Sequence, residues 1–360
     1  MLYWAYFFCL LLHAEEFWKW ISAVGVIWLV EICYRTLNYL YGQGRTVISS
    51  AELLPSRVTH LMVERPSTFH FSAGDWVFVK IPSLASSEWH PFTISSCPEL
   101  TDHFSLHIRG VGQWTNSLYK MLEAEHDRQT RSSPFRRGRR GRRSRKVVEH
   151  DESRLERPLE IYVDGPFGSP ASNIYRAEHA VLIGTGIGVT PFASILQSIM
   201  FRYWERRARC HNCKHNQHVH SIFNLKKVDF FWINRDQRSF EWFVELLSQL
   251  EKEQQEKGGS MSRFLDMNMY LTSASEKTDM KVVALQLALN ILYNMKEVEP
   301  LTGLQSRIRA GRPDWEDVFS KLQREKRGEV TVFYCGNPGL AATLRAACQQ
   351  RGFRFSKEVF

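Results

Sequence analysis

Cysteine is scarce in this chain and unevenly placed. Its seven cysteines, Cys9, Cys33, Cys97, Cys210, Cys213, Cys335 and Cys348, form an odd, scattered set. That excludes the dense disulfide framework of a small secreted domain and points to a reducing compartment for the soluble part. No basic residue precedes the first apolar run, Leu2 to Leu12, which argues against a cleaved signal peptide. Internal repeats are absent, so a solenoid is excluded. Acid is missing from one stretch, Phe135 to Lys146, which holds eight basic residues. Without that tract the formal charge falls from +9 to +1, so the body is nearly neutral.

What is present suits a folded protein. The chain is 44% hydrophobic and 13% aromatic, which disfavours disorder. Its 360 residues exceed one small core, and two soluble domains plus a short extra piece is the natural arrangement. The extra piece is residues 1–45. After the first apolar run comes a polar break, HAEE, and a second run from Trp20 to Val30 that weakens toward Tyr41. Each run alone is shorter than the ~20 residues that cross a bilayer. Two arrangements fit: a buried helical hairpin, or a clipped membrane helix followed by a full one, Phe17 to Tyr41. The second would place Lys19, Glu31 and Arg35 against protein or an interface, and hydropathy favours it.

From 52 to 170 the pattern is that of short strands: Val58 to Arg65, Asp75 to Ile81, and His103 to Val111 with Phe104, Leu106 and Ile108 on one face. They predict an antiparallel barrel closed by a short helix, Trp114 to Leu122. Residues 123–158 are charged, lack an apolar period and are expected to form an exposed, mostly disordered insertion. Leu159 to Val163 resumes as a strand. From 171 to 360 strands and helices alternate, including helices near Phe240 to Gln254 and Lys281 to Tyr293 and a last strand, Phe353 to Phe360. That alternation predicts a parallel α/β sheet. The fold class is thus two-domain, α+β followed by α/β.

Four local patterns carry chemistry. Gly184-Thr-Gly-Ile-Gly188 lies between a strand and a helix that opens with Thr190 and Pro191. Glycines there admit a pyrophosphate to the helix N-terminus, although Val189 departs from GxGxxG; a tight structural turn is the alternative. His90, Pro91, Phe92, Thr93, Ser95 and Ser96 offer an aromatic and hydroxyls to a flat ring, or form a buried strand with satisfied hydroxyls. Cys335, Gly336 and Pro338 end a strand, where ligands bind in open α/β sheets; a buried structural cysteine is the alternative. Arg235 and Arg312 could pair with a 2′-phosphate or be solvated.

The order of these patterns resembles the ferredoxin–NADP reductase superfamily, and within it the NADPH oxidase family. The strings that carry this are EWHPFTISS (88–96), HIRGVGQWT (107–115), DGPFG (164–168), GTGIGVTPFASILQSIM (184–200), RSFEWF (238–243), LTGLQ (301–305) and GRPDW (311–315). The resemblance covers nearly all of residues 17–360. It implies an FAD-binding barrel over 52–170 and an NADPH-binding domain over 171–360. His90, Pro91, Phe92 and Thr93 would bind FAD, and Arg109, Trp114 and Thr115 would hold its phosphates. Gly184, Gly186, Gly188, Thr190 and Pro191 would cradle the NADPH pyrophosphate, with Arg235 and Arg312 on the 2′-phosphate. Cys335 would lie near the nicotinamide and Phe360 over the flavin. The implied activity is hydride transfer from NADPH to FAD, with electrons passed on to haem and molecular oxygen. A ferric or quinone reductase on the same scaffold, and a non-enzymatic remnant, are the other readings.

The sequence departs from the family in its membrane part. Only the end of the fifth and the sixth of six family helices are expected here. His13 matches one haem-ligand histidine, but its partner would fall before Met1, so superoxide production by a haem route is not expected of this chain alone. The dehydrogenase domains are expected on the cytoplasmic side. Two further features remain open. The tract 136–146 suits anionic lipid, against a solvated loop or a nucleic-acid patch. Cys210 and Cys213, with His215, His218 and His220, have zinc-ligand types, although one CxxC is a weak signal.

Overall fold

The computed structural model describes residues 7–10, 13, 16–40, 44–132, 154–205, 224–235, 241–256, 264–272 and 308–358. The chain divides into two compact units, Met1–Arg45 and Thr46–Phe360.

In the first unit the helix α1, Phe17–Leu40, ends one residue short of the expected span. Val24, Val26, Ile27, Trp28, Leu29 and Val30 are all exposed, so apolar side chains face outward on every side. A helix apolar all round requires a protein or lipid environment. At about 1.5 Å per residue its 24 residues reach about 36 Å, enough for a hydrocarbon core of about 30 Å.

The second unit opens with the barrel: β1 Arg45–Leu54, β2 Val58–Glu64, β3 Trp76–Lys80, β4 His90–Thr93, β5 His103–Arg109 and β6 Arg154–Phe167. Their order is β4-β3-β6-β1-β2-β5. Just beyond β4, Ile94 bridges to Leu106 of β5 and closes the sheet on itself. The alternation read in β5 places Phe104, Leu106 and Ile108 in the core with Leu61, Val63, Val77 and Val79. Helix α2, Gln113–Ser132, caps this core through Trp114, Leu118 and Leu122, one turn apart. It runs ten residues past the expected end at Leu122, into the segment expected to be disordered. Residues 123–128 bury little, but Glu123, Ala124, Glu125 and Arg128 are good helix formers, and Arg128 pairs with Glu125 at 3.3 Å. Strand β6 likewise starts at Arg154, inside the expected insertion.

The second sheet contains β7 His179–Thr185, β8 Lys227–Asn234, β9 Leu265–Leu271, β10 Ile308–Ala310, β11 Val330–Cys335 and β12 Arg354–Lys357. All its pairings are parallel, in the order β10-β9-β8-β7-β11-β12. Along β7, Ala180 and Leu182 join one apolar cluster and Val181 and Ile183 the other, so both faces of the sheet are covered. Helices α3 Thr190–Glu205 and α4 Glu241–Glu256 precede α5 Trp315–Glu325 and α6 Pro338–Arg351. Helix α5 and strand β10 were not expected. Asp314 caps α5 by accepting from the Glu316 and Asp317 amides. The helix expected near Lys281 to Tyr293 lies outside the described residues.

The strand order reverses between β7 and β11. That crevice, at the carboxyl ends of the strands, is where such sheets bind ligands. Val58 and Ala73 of the barrel pack into the core of the second sheet, so the two domains share a buried junction.

Candidate functional site

Strand register assembles the barrel side. Thr93 pairs with Trp76, and Trp76 with Phe167, so three neighbouring strands bring the HPFT and DGPFG strings together. The Phe167 ring stacks on Trp76 at 4.7 Å. The half-buried His90 ring lies 4.5 Å from Trp114, and Phe92 lies 5.7 Å from it. Trp114 is buried, yet its indole Nε1–H has no partner. A buried indole donor ordinarily finds one, so this orphan fits a polar group bound there. The Thr115 hydroxyl accepts from the Val111 and Gly112 amides, both at 3.0 Å, and holds the turn that starts α2. Ser95 and Ser96 face inward. The Ser95 hydroxyl donates to the Ser105 carbonyl at 2.9 Å and lies 2.7 Å from His107 Nδ1. Ser96 Oγ accepts from the Ser105 amide at 2.9 Å. Both hydroxyls are committed to closing the barrel. Burial, with His60 stacked alongside at 4.4 Å, holds His107 well below the usual histidine range.

On the sheet side, Gly184, one residue before the end of β7, lies directly opposite Cys335 of β11. Gly186 has φ +56°, a conformation side chains disfavour. A Cβ on Gly188 would stand 2.7 Å from the Cys335 carbonyl oxygen and 3.1 Å from its sulfur. The turn thus lies flat on Cys335, and α3 starts immediately after it with Thr190 and Pro191, both buried. Burial, reinforced by Glu358, pushes the Cys335 thiol up to about 12. Gly336 has φ +148° beside Thr185, whose hydroxyl accepts from the Asn337 amide at 3.2 Å. Pro338 opens α6, capped by Asn337. Exposed Arg235 follows β8, and exposed Arg312 lies just past β10, on the same edge of the sheet.

The two sides meet. A Cβ on Gly186 would lie 3.8 Å from Arg109 Nη1 and 4.0 Å from Asn234 Oδ1, so the barrel arginine reaches the glycine turn. Sequence reasoning missed Trp232 and Asn234. The Trp232 indole donates to the Gly186 carbonyl at 3.1 Å, and the buried Asn234 Nδ2 has no partner. Alternation along β8 puts both on one face, next to Arg235, a signal that was available. The orphan donors of Trp114 and Asn234, one on each side, fit two polar ligands.

Against known proteins, a family model described as FAD-binding domain matches residues 44–171. One described as ferric reductase NAD binding domain matches residues 177–349. The chain is 46% identical over 358 residues to NADPH oxidase 5 of Homo sapiens, covering 98% of this chain and 46% of that protein. The chain belongs to the NADPH oxidase family. NADPH oxidase 1 of Mus musculus is another relative of this family, 34% identical, covering 97% of this chain and 51% of that one. The chain spans about half the length of the curated relatives it matches. Among solved structures, a ferredoxin NADP+ reductase from Neisseria gonorrhoeae with bound FAD and NADP is 11% identical, with a TM-score of 0.50. That match covers 87% of this chain and 97% of that one, and is a likeness of fold alone. The chain therefore carries an FAD-binding domain followed by an NAD-binding domain of the ferric reductase type.

His13 is exposed, in the first unit. Phe360, Cys210, Cys213, His215, His218, His220 and the tract 136–146 lie outside the described residues. Among the described residues one trio has ligand atoms within 4.8 Å of each other: His179, Asp229 and Glu325. It lies at the opposite end of the sheet from Cys335, and its His179 Nε2 and Asp229 form a buried 2.7 Å pair.

Proposed function

We propose that the barrel binds FAD, that the β7–β11 crevice binds NADPH, and that the chain passes a hydride from one to the other. The observation that carries this is the approach of Arg109 to Gly186, which joins a flavin-side cation to the pyrophosphate turn. His90, Pro91, Phe92, Thr93 and Trp114 would hold the flavin, with Arg109 and the amino end of α2 at its phosphates. Helix α3 would receive the dinucleotide pyrophosphate on its N-terminus, and Arg235 and Arg312 the 2′-phosphate. Ser95, Ser96 and Thr115 would act one step back, shaping strand and turn. Bound together, the cofactors supply hydride transfer and one-electron release. The residues of the chain hold the rings in register, and the protonated Cys335 thiol gives the nicotinamide an uncharged, dry neighbour. Phe360, two residues past Glu358, would cover the flavin.

In the longer family protein, electrons would continue to haem and oxygen. Helix α1 would then lie in the membrane with the dehydrogenase domains on the cytoplasmic side, and the tract 136–146 would favour anionic lipid. The test is anaerobic mixing of FAD-loaded chain with NADPH. Bleaching of the flavin band at least ~10-fold faster than with NADH is expected, a preference lost in an Arg235→Ala, Arg312→Ala chain because two phosphate contacts disappear. A chain that holds no FAD sinks the proposal. The ferric reductase description of the matching model motivates the second reading, and ferric chelate offered against oxygen as acceptor separates the two.

A further inference from the structure

We propose that one face of α3 sets the distance between the flavin and nicotinamide rings, with Gln197, Ser198 and Arg202 as positioning residues. This rests on the cofactor placement above. Helix α3 begins at the pyrophosphate turn, and the chain leaving β4 runs from the flavin strand into residues 94–99. The helix positions 194, 197, 198 and 202 fall on one face, and all four bond that barrel segment. Ser194 Oγ donates to the Ser96 carbonyl at 2.6 Å and accepts from the Gly74 amide at 3.4 Å. Gln197 Oε1 accepts from the Cys97 amide at 3.3 Å, while its Nε2 donates to the Ser95 carbonyl at 3.4 Å. Ser198 Oγ and Arg202 Nε both donate to Glu99 Oε1, at 2.7 and 2.6 Å. Tyr175 backs this seam, donating to Ser198 at 2.7 Å with its ring 4.6 Å from the Arg202 guanidinium.

Two arguments turn these contacts into a ruler. First, the seam is close to both cofactor sites. Thr190 precedes Ser194 by about one helical turn, ~6 Å, and Thr93 precedes Ser95 by about 7 Å of strand. Only Ile94 separates Thr93 from Ser95, and it is pinned to Leu106 by a β-bridge. Second, the seam is polar and buried: Ser194 and Ser198 are 0% exposed. Directional bonds between buried groups fix one arrangement, whereas apolar surfaces can slide. There is no slack beside Ser194, because a Cβ on Gly74 would stand 3.2 Å from Ile195 Cδ1.

The experiment uses the FAD-loaded full chain with Gln197→Leu and Ser198→Ala. FAD content and NADP+ affinity are expected to stay within about twofold of wild type, since neither side chain touches a cofactor. Anaerobic flavin reduction should slow by about 10-fold or more, the scale expected for sub-ångström to ångström misplacement. The isotope effect with NADPH deuterated at the transferred position should rise. The long-wavelength absorbance of the stacked nicotinamide–flavin pair, which needs no turnover, should fall. Glu99→Gln, which keeps the acceptor for Ser198 and Arg202, should stay nearer wild type than Glu99→Ala. Variants that lose only thermal stability, with reduction per bound flavin, isotope effect and long-wavelength band unchanged, overturn the proposal. Should Gln197→Leu not accumulate, Gln197→Glu carries the same expectation and the same refutation, because it turns an oxygen against the Ser95 carbonyl. A wild-type chain that binds FAD but is not reduced by NADPH overturns the cofactor placement, and this inference with it.

Discussion

A methyl group at position 188 would press on the Cys335 carbonyl carbon and oxygen at 3.0 and 2.7 Å. Because these are backbone atoms of a central strand, they cannot rotate away. Gly188→Ala should therefore lift the 184–188 turn, cost ~1–3 kcal/mol of stability and, on the proposed cofactor placement, weaken NADP+ binding at least ~10-fold while the barrel retains FAD. Calorimetric titration of the FAD-loaded chain checks this, and unchanged NADP+ affinity would refute it. Cys335 makes the companion case. Its thiol, raised to about 12 by burial with Glu358 adding to the effect, stays neutral across the physiological pH range. Flavin reduction should show no titration of this group between pH 6 and 9. Iodoacetamide at pH 8 should leave Cys335 unmodified in the folded chain, as read by peptide mapping, since the thiolate is the nucleophile.

At the scale of elements, legibility followed locality. Strand β11 was read to its ends because an apolar, β-branched run stands between a glycine and a turn, and α3 was placed to within two residues by Pro191 at its start. The site strings could be ordered for the same reason, since each is a short stretch at a strand end. Strand β1 escaped because its ten residues, RTVISSAELL, bury only Ile48 fully and show no clean alternation. The extension of α2 escaped because it has no apolar period. Helix α5 was legible and missed: Trp315, Phe319 and Leu322 share a face behind an Asp cap. Replacing that cap, Asp314→Ala, should cost about 1 kcal/mol, seen as a lower chemical-denaturation midpoint with an unchanged slope. The α3 seam was illegible in principle, because Glu99 and Arg202 are 103 positions apart and no local pattern pairs them.

At the scale of the whole molecule, the junction carries two buried carboxyls. Asp75 belongs to the barrel and Glu358 directly follows β12, where it accepts from the Ala171 amide. Burial raises both above the ordinary carboxylate range, and the Asp75 charge raises Glu358 further. The folded state therefore holds protons that the unfolded chain has released. The resulting stability is present below the unfolded values, near 4, and is lost as pH rises through the elevated folded ones. Glu358→Gln, which keeps the acceptor for Ala171, should flatten this fall and melt about 1–2 °C higher than wild type at pH 8 for each kcal/mol recovered. A variant whose melting temperature tracks wild type at every pH would show that folding does not raise the Glu358 carboxyl.

The separation into two units bears on how the protein can be handled. The body from Thr46 onward has its own closed barrel, its own sheet with both faces covered and every residue proposed to hold a cofactor. Helix α1 contributes exposed Trp18, Trp20, Trp28 and a run of aliphatics, an apolar surface far larger than a soluble monomer tolerates. Removing residues 1–44 should then yield a chain that stays monomeric without detergent, binds FAD one to one and is reduced by NADPH at the rate of the full chain. The full chain should require detergent or lipid for the same behaviour. Size-exclusion chromatography with flavin absorbance detection reads both. If the shortened chain loses FAD, or is reduced ~10-fold more slowly per bound flavin, then α1 supports the site and the independence of the two units fails.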